Sequence, residues 1–93
     1  MGETVPSVAA QAALAGIAVI RESGEEISSA LIGGTGLEVV VPGGTRLYLG
    51  TPDAGLVPRV HTAVSILKDL RSRGLGVVYI DVRLPGQPVI KPR

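Results

Sequence analysis

His61, Ser65 and Asp69 combine the three side-chain types that hydrolytic enzymes use as base, nucleophile and carboxylate. Their spacing by four residues places them along one face of a helix, with His61 and Asp69 about 12 Å apart at ~1.5 Å of rise per residue. A catalytic relay requires the histidine to lie between the other two groups and to hydrogen-bond to both. We therefore interpret the three as a solvated helix face, and a small hydrolase using His61 and Ser65 is only a third hypothesis.

Two glycine-rich runs and one pair of glutamates are the remaining candidates for chemistry. A strand-like segment follows both GGTG at 33–36 and PGG at 42–44, whereas a phosphate-binding loop requires a helix N-terminus directly after it. Hairpin turns therefore explain both runs better. Glu25 and Glu26 are adjacent, so in a strand they point to opposite faces and cannot act as a catalytic pair. Because one histidine and no cysteine argue against a transition-metal site, we predict a non-enzyme without catalytic residues, metal or cofactor.

The composition indicates one small domain with an aliphatic core. Hydrophobic residues make up 45% of the 93 positions and aromatic residues only 2%, so the core must consist of Val, Ile, Leu and Ala. The net charge is +1, and the chain has neither a basic stripe nor a set of stacking aromatics. We therefore expect no nucleic-acid partner and no membrane contact by these residues. The most apolar N-terminal run, at 7–20, is too short and too rich in alanine to span a bilayer.

Apolar periodicity and turn residues predict an α+β fold, with two helices packed on one sheet of short strands. Ser7 is a candidate N-cap and Gly24 a candidate stop for the first helix, and Gly74 ends the second, which carries Arg59 on its solvated side. The predicted helices cover residues 8–22 and 56–73, and the predicted strands cover residues 26–32, 37–42, 45–49, 77–83 and 88–91. The inward face of the second helix consists of Val60, Ala63, Val64, Leu67 and Leu70.

Three segments, taken in order, carry a family resemblance. LEVVVPGGTRLYLG at 37–50 is a hairpin that ends in an apolar-x-apolar-glycine motif, and an amphipathic helix follows it with Arg59 near its start. VVYIDVR at 77–83 is a strand of the pattern apolar-aspartate-apolar-arginine. In order and spacing these segments resemble the extracytoplasmic C-terminal (β) domain of the bacterial cell-division proteins FtsQ and DivIB, which usually has Lys or Arg near the position of Arg59. The preceding helix and strand also fit, so the resemblance covers nearly all of residues 1–93 as a single domain.

This resemblance implies a scaffold role without chemistry. Proteins of the family bind FtsB/DivIC-like and FtsL-like septal proteins on the extracytoplasmic side of the cell membrane at the division septum. The family's POTRA domain, transmembrane helix and cytoplasmic tail do not occur in this sequence, so we expect the natural protein to carry a single-pass anchor outside these residues. In the family a partner segment adds a β-strand beside the final strands, which makes the C-terminal strand an edge with unpaired N–H and C=O groups.

The resemblance places partner-binding residues at and after the IDVR motif. They are Arg83, Leu84, Gly86, Val89, Ile90 and Lys91. Backbone atoms of this segment would pair with the added strand, while Leu84, Val89 and Ile90 would supply apolar contact. Arg83 or Lys91 would meet an acidic side chain of the partner.

Other interpretations of the same segment stay open. Asp81 and Arg83 share a face in a strand and can pair with each other, and Tyr79 belongs to the family's core strand. Val89 and Ile90 can close the sheet against the first helix. Prolines at positions 85, 88 and 92 each remove an N–H donor and can blunt the edge. The alternative function is a self-associating structural domain, a weak homodimer paired through the same C-terminal edge.

Overall fold

The computed structural model describes residues 8–84 and 86–93, which form two helices and one five-stranded sheet. In chain order the elements are α1 (Val8–Glu22), β1 (Ser29–Gly33), β2 (Gly36–Val40), β3 (Arg46–Gly50), α2 (Leu56–Ser72), β4 (Val77–Asp81) and β5 (Val89–Pro92). The predicted α+β class is confirmed, with the C-terminal strand at an edge of the sheet. The candidate N-cap Ser7 and the proline at 85 lie outside the described residues.

Both helices end at the glycines that the sequence predicts. Gly24 has a φ of +93° and Gly74 a φ of +72°, a left-handed conformation that glycine adopts without steric cost. The N–H of Gly24 donates to the carbonyl of Arg21 at 3.0 Å, and the next N–H donates to that of Ile20 at 3.3 Å. The same pair of hydrogen bonds closes α2 at Gly74. In both places they satisfy carbonyl groups that the end of a helix leaves free.

The sheet has two open edges, because its strands lie in the order β1-β2-β3-β4-β5. The first three strands form an antiparallel meander. α2 connects β3 to β4, and these two strands pair in parallel. β5 then pairs antiparallel with β4. Both glycine-rich runs form the predicted hairpin turns. Gly43 and Gly44, between β2 and β3, have φ angles of +97° and +86°, which explains why this turn contains glycine.

β1 begins at Ser29 and not at residue 26, so the predicted start of the first strand is wrong. Glu25 and Glu26 precede the strand and do not occupy its two faces. The Glu25 side chain is only 9% exposed, and its carboxylate accepts a hydrogen bond from Arg71 Nη1 on α2. This ion pair joins residues far apart in the sequence and holds the connection against α2. Glu25 thus takes part in a tertiary contact with α2, and β1 starts four residues after it.

α2 covers one face of the sheet and turns its predicted apolar side inward. The buried positions on the helix are Leu56, Val60, Ala63, Val64 and Leu67, with Leu70 partly buried beside them. They pack against the buried strand residues Leu37, Val39, Leu47, Leu49, Val77 and Ile80. The core is thus aliphatic, as the composition predicts.

α1 packs along α2 and runs in the same direction. Gly16 lies against Leu56, near the start of α2, where an added Cβ would be 3.1 Å from Leu56 Cδ2. Directly after α1, the carbonyl oxygen of Ser23 accepts a hydrogen bond from Lys68 Nζ near the end of α2. The missing side chain at Gly16 therefore lets the two helices come close together over the sheet.

Candidate functional site

β4 ends in a carboxylate–guanidinium pair, because Asp81 binds Arg83 two residues later. Arg83 donates from Nε to Asp81 Oδ1 at 2.9 Å and from Nη2 to Oδ2 at 2.6 Å. The backbone N–H of Arg83 donates to Oδ1 at 3.0 Å, which turns the chain out of the strand. The predicted extension of this strand to residue 83 is therefore wrong. The guanidinium hydrogen bonds lower the pKa of Asp81, and the same bonds raise the pKa of Arg83.

Two tyrosines complete this arrangement on the sheet face opposite the helices. Tyr48 of β3 and Tyr79 of β4 have ring centroids 5.5 Å apart in an edge-to-face geometry. Arg83 Cζ lies 5.4 Å from the centroid of the Tyr48 ring, within the range of a cation–π contact. We call Tyr48, Tyr79, Asp81 and Arg83 the outer-face cluster. Because Asp81 and Tyr48 already engage the Arg83 guanidinium, an acidic partner residue would have to compete with Asp81 for it.

Sequence reasoning missed Tyr48 as a member of this cluster. The alternation of Tyr48 with the buried Leu47 and Leu49 does place its ring on the wet face of β3. That pattern says nothing of its neighbour, because Arg83 reaches the ring only after β3 and β4 pair in parallel. The sequence pattern therefore predicts which face of β3 carries Tyr48, but it does not predict the contact of Tyr48 with Arg83.

Val89 and Ile90 lie on opposite faces of β5. Val89 pairs with Asp81, which puts it on the outer face, and it is 49% exposed. Ile90 pairs with Ile80 on the helix face and is 39% exposed. It lines a groove of about 420 Å³ together with Leu70 at the end of α2. The interpretation in which both residues close the sheet against the first helix is therefore wrong.

The predicted binding residues do not form one cluster. Arg83, Leu84 and Val89 line a groove of about 350 Å³ on the outer face. Gly86 lines a separate cavity of about 140 Å³ near the start of α2, and Leu84 takes part in both. Ile90 belongs to the groove on the helix face. The structure thus brings three of the six together and distributes the others around the β4–β5 connection and β5.

Lys91 carries the more available of the two predicted cationic groups. It lies opposite Tyr79 on the outer face and is exposed. Within residues 8–84 and 86–93 its ammonium group forms no salt bridge, whereas Asp81 neutralises Arg83. An acidic side chain that approaches this edge would therefore meet Lys91 first.

The open edge of β5 is poor in hydrogen-bond donors. The N–H of Arg93 donates to the carbonyl of Gly76 at 3.1 Å, on the β4 side. By the alternation of a strand, positions 88, 90 and 92 then turn their backbone groups to the open edge. Positions 88 and 92 are prolines without an N–H, so Ile90 is the donor among these three, while all three carbonyl groups are present. A strand that adds here must donate more hydrogen bonds than it accepts.

Arg59 is not solvated, contrary to the prediction from helical periodicity. Its side chain is 14% exposed, and Nε donates to the carbonyl of Leu49 at 2.7 Å. Nη2 donates to the carbonyl of Thr51 and, at 3.3 Å, to Asp53 Oδ1. Periodicity identifies the residues of α2 that face the sheet, but the loop between β3 and α2 folds over the helix from another side.

His61, Ser65 and Asp69 are exposed along α2 and do not form a relay. Asp69 Oδ2 instead lies 3.3 Å from Arg73 Nε, one turn further along the helix. In the part of the chain that the structure describes, no hydrogen bond joins His61 to Ser65 or Asp69. The same part contains no group of three His, Cys, Asp or Glu side chains placed to hold a metal ion.

No family model matches this chain, and neither does any curated protein. Neither of the two described helices has both the length and the apolar character needed to cross a membrane. The candidate site is therefore defined by the geometry of β4, β5 and the outer-face cluster.

Proposed function

We propose that this protein is a non-enzymatic scaffold domain of the bacterial division machinery, which binds FtsB/DivIC-like and FtsL-like septal proteins by β-strand addition at β5. It would act on the extracytoplasmic side of the membrane at the division septum. The observation that carries the proposal is that β5 is an edge strand with Val89 and Ile90 exposed on its two faces. Strand addition needs both features, because main-chain hydrogen bonds supply affinity and pockets for alternate side chains supply specificity.

Grooves on the two sides of β5 suit such a partner. The outer groove has Leu84 and Val89 among its walls, and the groove on the helix face has Leu70 and Ile90. Successive side chains of an added strand point to opposite faces of the sheet. One partner strand would therefore place alternate apolar residues in the two grooves.

The donor shortage at β5 favours a different protein over a second copy at this edge. Two β5 edges brought together would oppose carbonyl groups to carbonyl groups, since positions 88 and 92 are prolines on both chains. A partner strand without prolines supplies the missing N–H groups. Because Lys91 places an exposed cation at this edge, we expect the partner segment to carry an acidic residue near the end of the pairing.

An amide NMR titration with the membrane-proximal periplasmic segment of the same organism's FtsB-like protein tests this function. We expect the shifts to concentrate in residues 77–93, including the amide of Ile90, and to include Leu70 where it lines the groove on the helix face. If no shifts occur at a near-millimolar concentration of the segment, this domain does not bind it, and the proposed function is wrong.

A charge at Val89 tests the edge itself. Val89→Glu should weaken binding of the segment at least ~10-fold and leave the fold intact, because the side chain is already half exposed. Leu14→Glu is the matched control, since Leu14 is an exposed apolar residue on α1. If Val89→Glu binds as tightly as Leu14→Glu, β5 is the wrong edge.

A further inference from the structure

β1, at the other end of the sheet, is exposed along its whole length. All five of its residues are exposed, including the apolar Leu31 at 64% and Ile32 at 55%. Leu31 lies opposite Glu38 on the outer face, and Ile32 lies opposite the buried Leu37 on the helix face. Because Ile32 shares a face with a core residue and is still exposed, β1 extends past the layer of helices.

β1 also lacks the features that normally protect an edge strand. Natural edges carry prolines, charged side chains or bulges that prevent another chain from pairing. Residues 27–37 contain no proline and no charged residue, and β1 pairs with β2 in regular register from Ser29 to Gly33. β5, by contrast, contains Lys91 and Pro92, and Pro88 directly precedes it. The two edges therefore differ: the prolines protect β5 against pairing with a second copy of itself, whereas β1 has no such protection.

We propose that β1 pairs antiparallel with β1 of a second copy of this chain, about a twofold axis at Leu31. The two sheets then join into one continuous sheet through the free backbone groups of both strands. In this register Leu31 lies opposite the partner's Leu31, and Ala30 lies opposite the partner's Ile32. Large side chains thus meet on the outer face, and large and small ones alternate on the helix face.

Three features favour a second copy of this chain as the partner of β1: the strand carries no charge, its residues all have a backbone N–H, and the assembly is complete at two chains. The absence of charge in residues 27–37 lets the strand face itself without the repulsion that opposed like charges cause. Every residue of β1 has an N–H, so both strands supply donors and acceptors. In the dimer both β1 edges are paired. The two ends of the joined sheet are then β5 strands, which contain proline. The assembly therefore closes at two chains.

The interface is small, because it joins one short strand to another. Stable complexes bury more than ~1,000 Å², and a pair of five-residue strands buries less. The dimer should accordingly dissociate with a constant on the order of 0.1–1 mM. This inference does not depend on strand addition at β5, since the two edges lie at opposite ends of the sheet.

Analytical ultracentrifugation over a concentration series tests the dimer. The weight-average mass should rise from 9.5 kDa at ~10 µM towards twice that value at ~1 mM. In amide spectra the shifts that depend on concentration should fall within residues 28–34. Leu31→Lys places two cations opposite each other at the axis and should abolish both effects. Leu14→Lys makes the same change at an equally exposed residue of α1 and should dimerise like the unmodified chain.

A constant mass of one chain over this range would overturn the proposal, as would continued dimerisation of Leu31→Lys. Shifts at 88–92, or growth beyond two chains, would also overturn it, because they require pairing through β5. The series on the unmodified chain needs no substitution, so a folding defect in Leu31→Lys would not remove the test. Leu31→Lys should bind the FtsB-like segment normally, which separates a failure at β1 from a failure at β5.

Discussion

The guanidinium of Arg59 donates from Nε to the carbonyl oxygen of Leu49 at 2.7 Å, and so joins the first turn of α2 to the end of β3. α2 has Gly55 at its N-cap position, with no side-chain hydrogen bond to cap the helix. Arg59 therefore fixes the start of the helix from within its first turn. The contact also keeps the loop between β3 and α2 close to the β4–β5 connection, because Arg59 lines the same cavity as Leu84 and Gly86.

Arg59→Met should lower the free energy of unfolding by ~1.5–3 kcal/mol. The substitution keeps the apolar stem but removes hydrogen bonds from a charged donor to backbone carbonyl groups. Urea denaturation measures the change. Arg73→Met is the matched control, because its salt bridge with Asp69 is solvent-exposed and should contribute less than ~0.5 kcal/mol. Equal losses for the two variants would show that Arg59 does not hold this junction.

Asp81 should titrate below its ordinary pKa of 3.8, because hydrogen bonds from Arg83 stabilise its carboxylate. A carboxyl group whose pKa is lower in the folded protein stabilises the fold above the pKa of the unfolded chain. That contribution is lost as the pH falls through the folded value. The difference in stability between the unmodified protein and Asp81→Asn should therefore be constant near neutral pH and shrink below about pH 4.

NMR titration of the side-chain carboxyl carbon measures this pKa directly. Arg83→Gln should return the pKa of Asp81 towards 3.8, because it removes the donor that lowers the pKa most. A value at or above 3.8 in the unmodified protein would contradict the hydrogen-bonded pair. The effect of either variant on stability at neutral pH should stay below ~1 kcal/mol, since the Arg83 side chain is 41% exposed and solvent screens the pair.

Gly16→Val should destabilise the fold by ~1–3 kcal/mol, through overpacking between the two helices. A Cβ at this position would already lie 3.1 Å from Leu56 Cδ2, and the valine methyl groups extend beyond it. Ala18→Val on the exposed side of α1 should cost only its difference in helix propensity, about 0.5 kcal/mol. Thermal unfolding compares the two. Similar melting temperatures would mean that α1 does not pack on α2 through Gly16.

Features that depend on neighbouring residues are predictable from this sequence. The inward face of α2 follows from apolar residues at helical spacing, and both helices stop at glycines because only glycine adopts the required φ without strain. The hairpin turns at 33–36 and 42–44 follow from the same property. The position of β5 at the edge was predicted from resemblance, and the strand order confirms it.

Only the tertiary structure determines which contacts the charged side chains make and how far the sheet edge at β1 is exposed. Glu25 pairs with Arg71 on α2 and lies before β1, and the loop that folds over α2 buries Arg59. Tyr48 and Arg83 meet only because β3 and β4 pair in parallel. β1 is left uncovered because the helices lie over the other strands. Each of these outcomes depends on contacts between distant residues, which local sequence patterns do not encode.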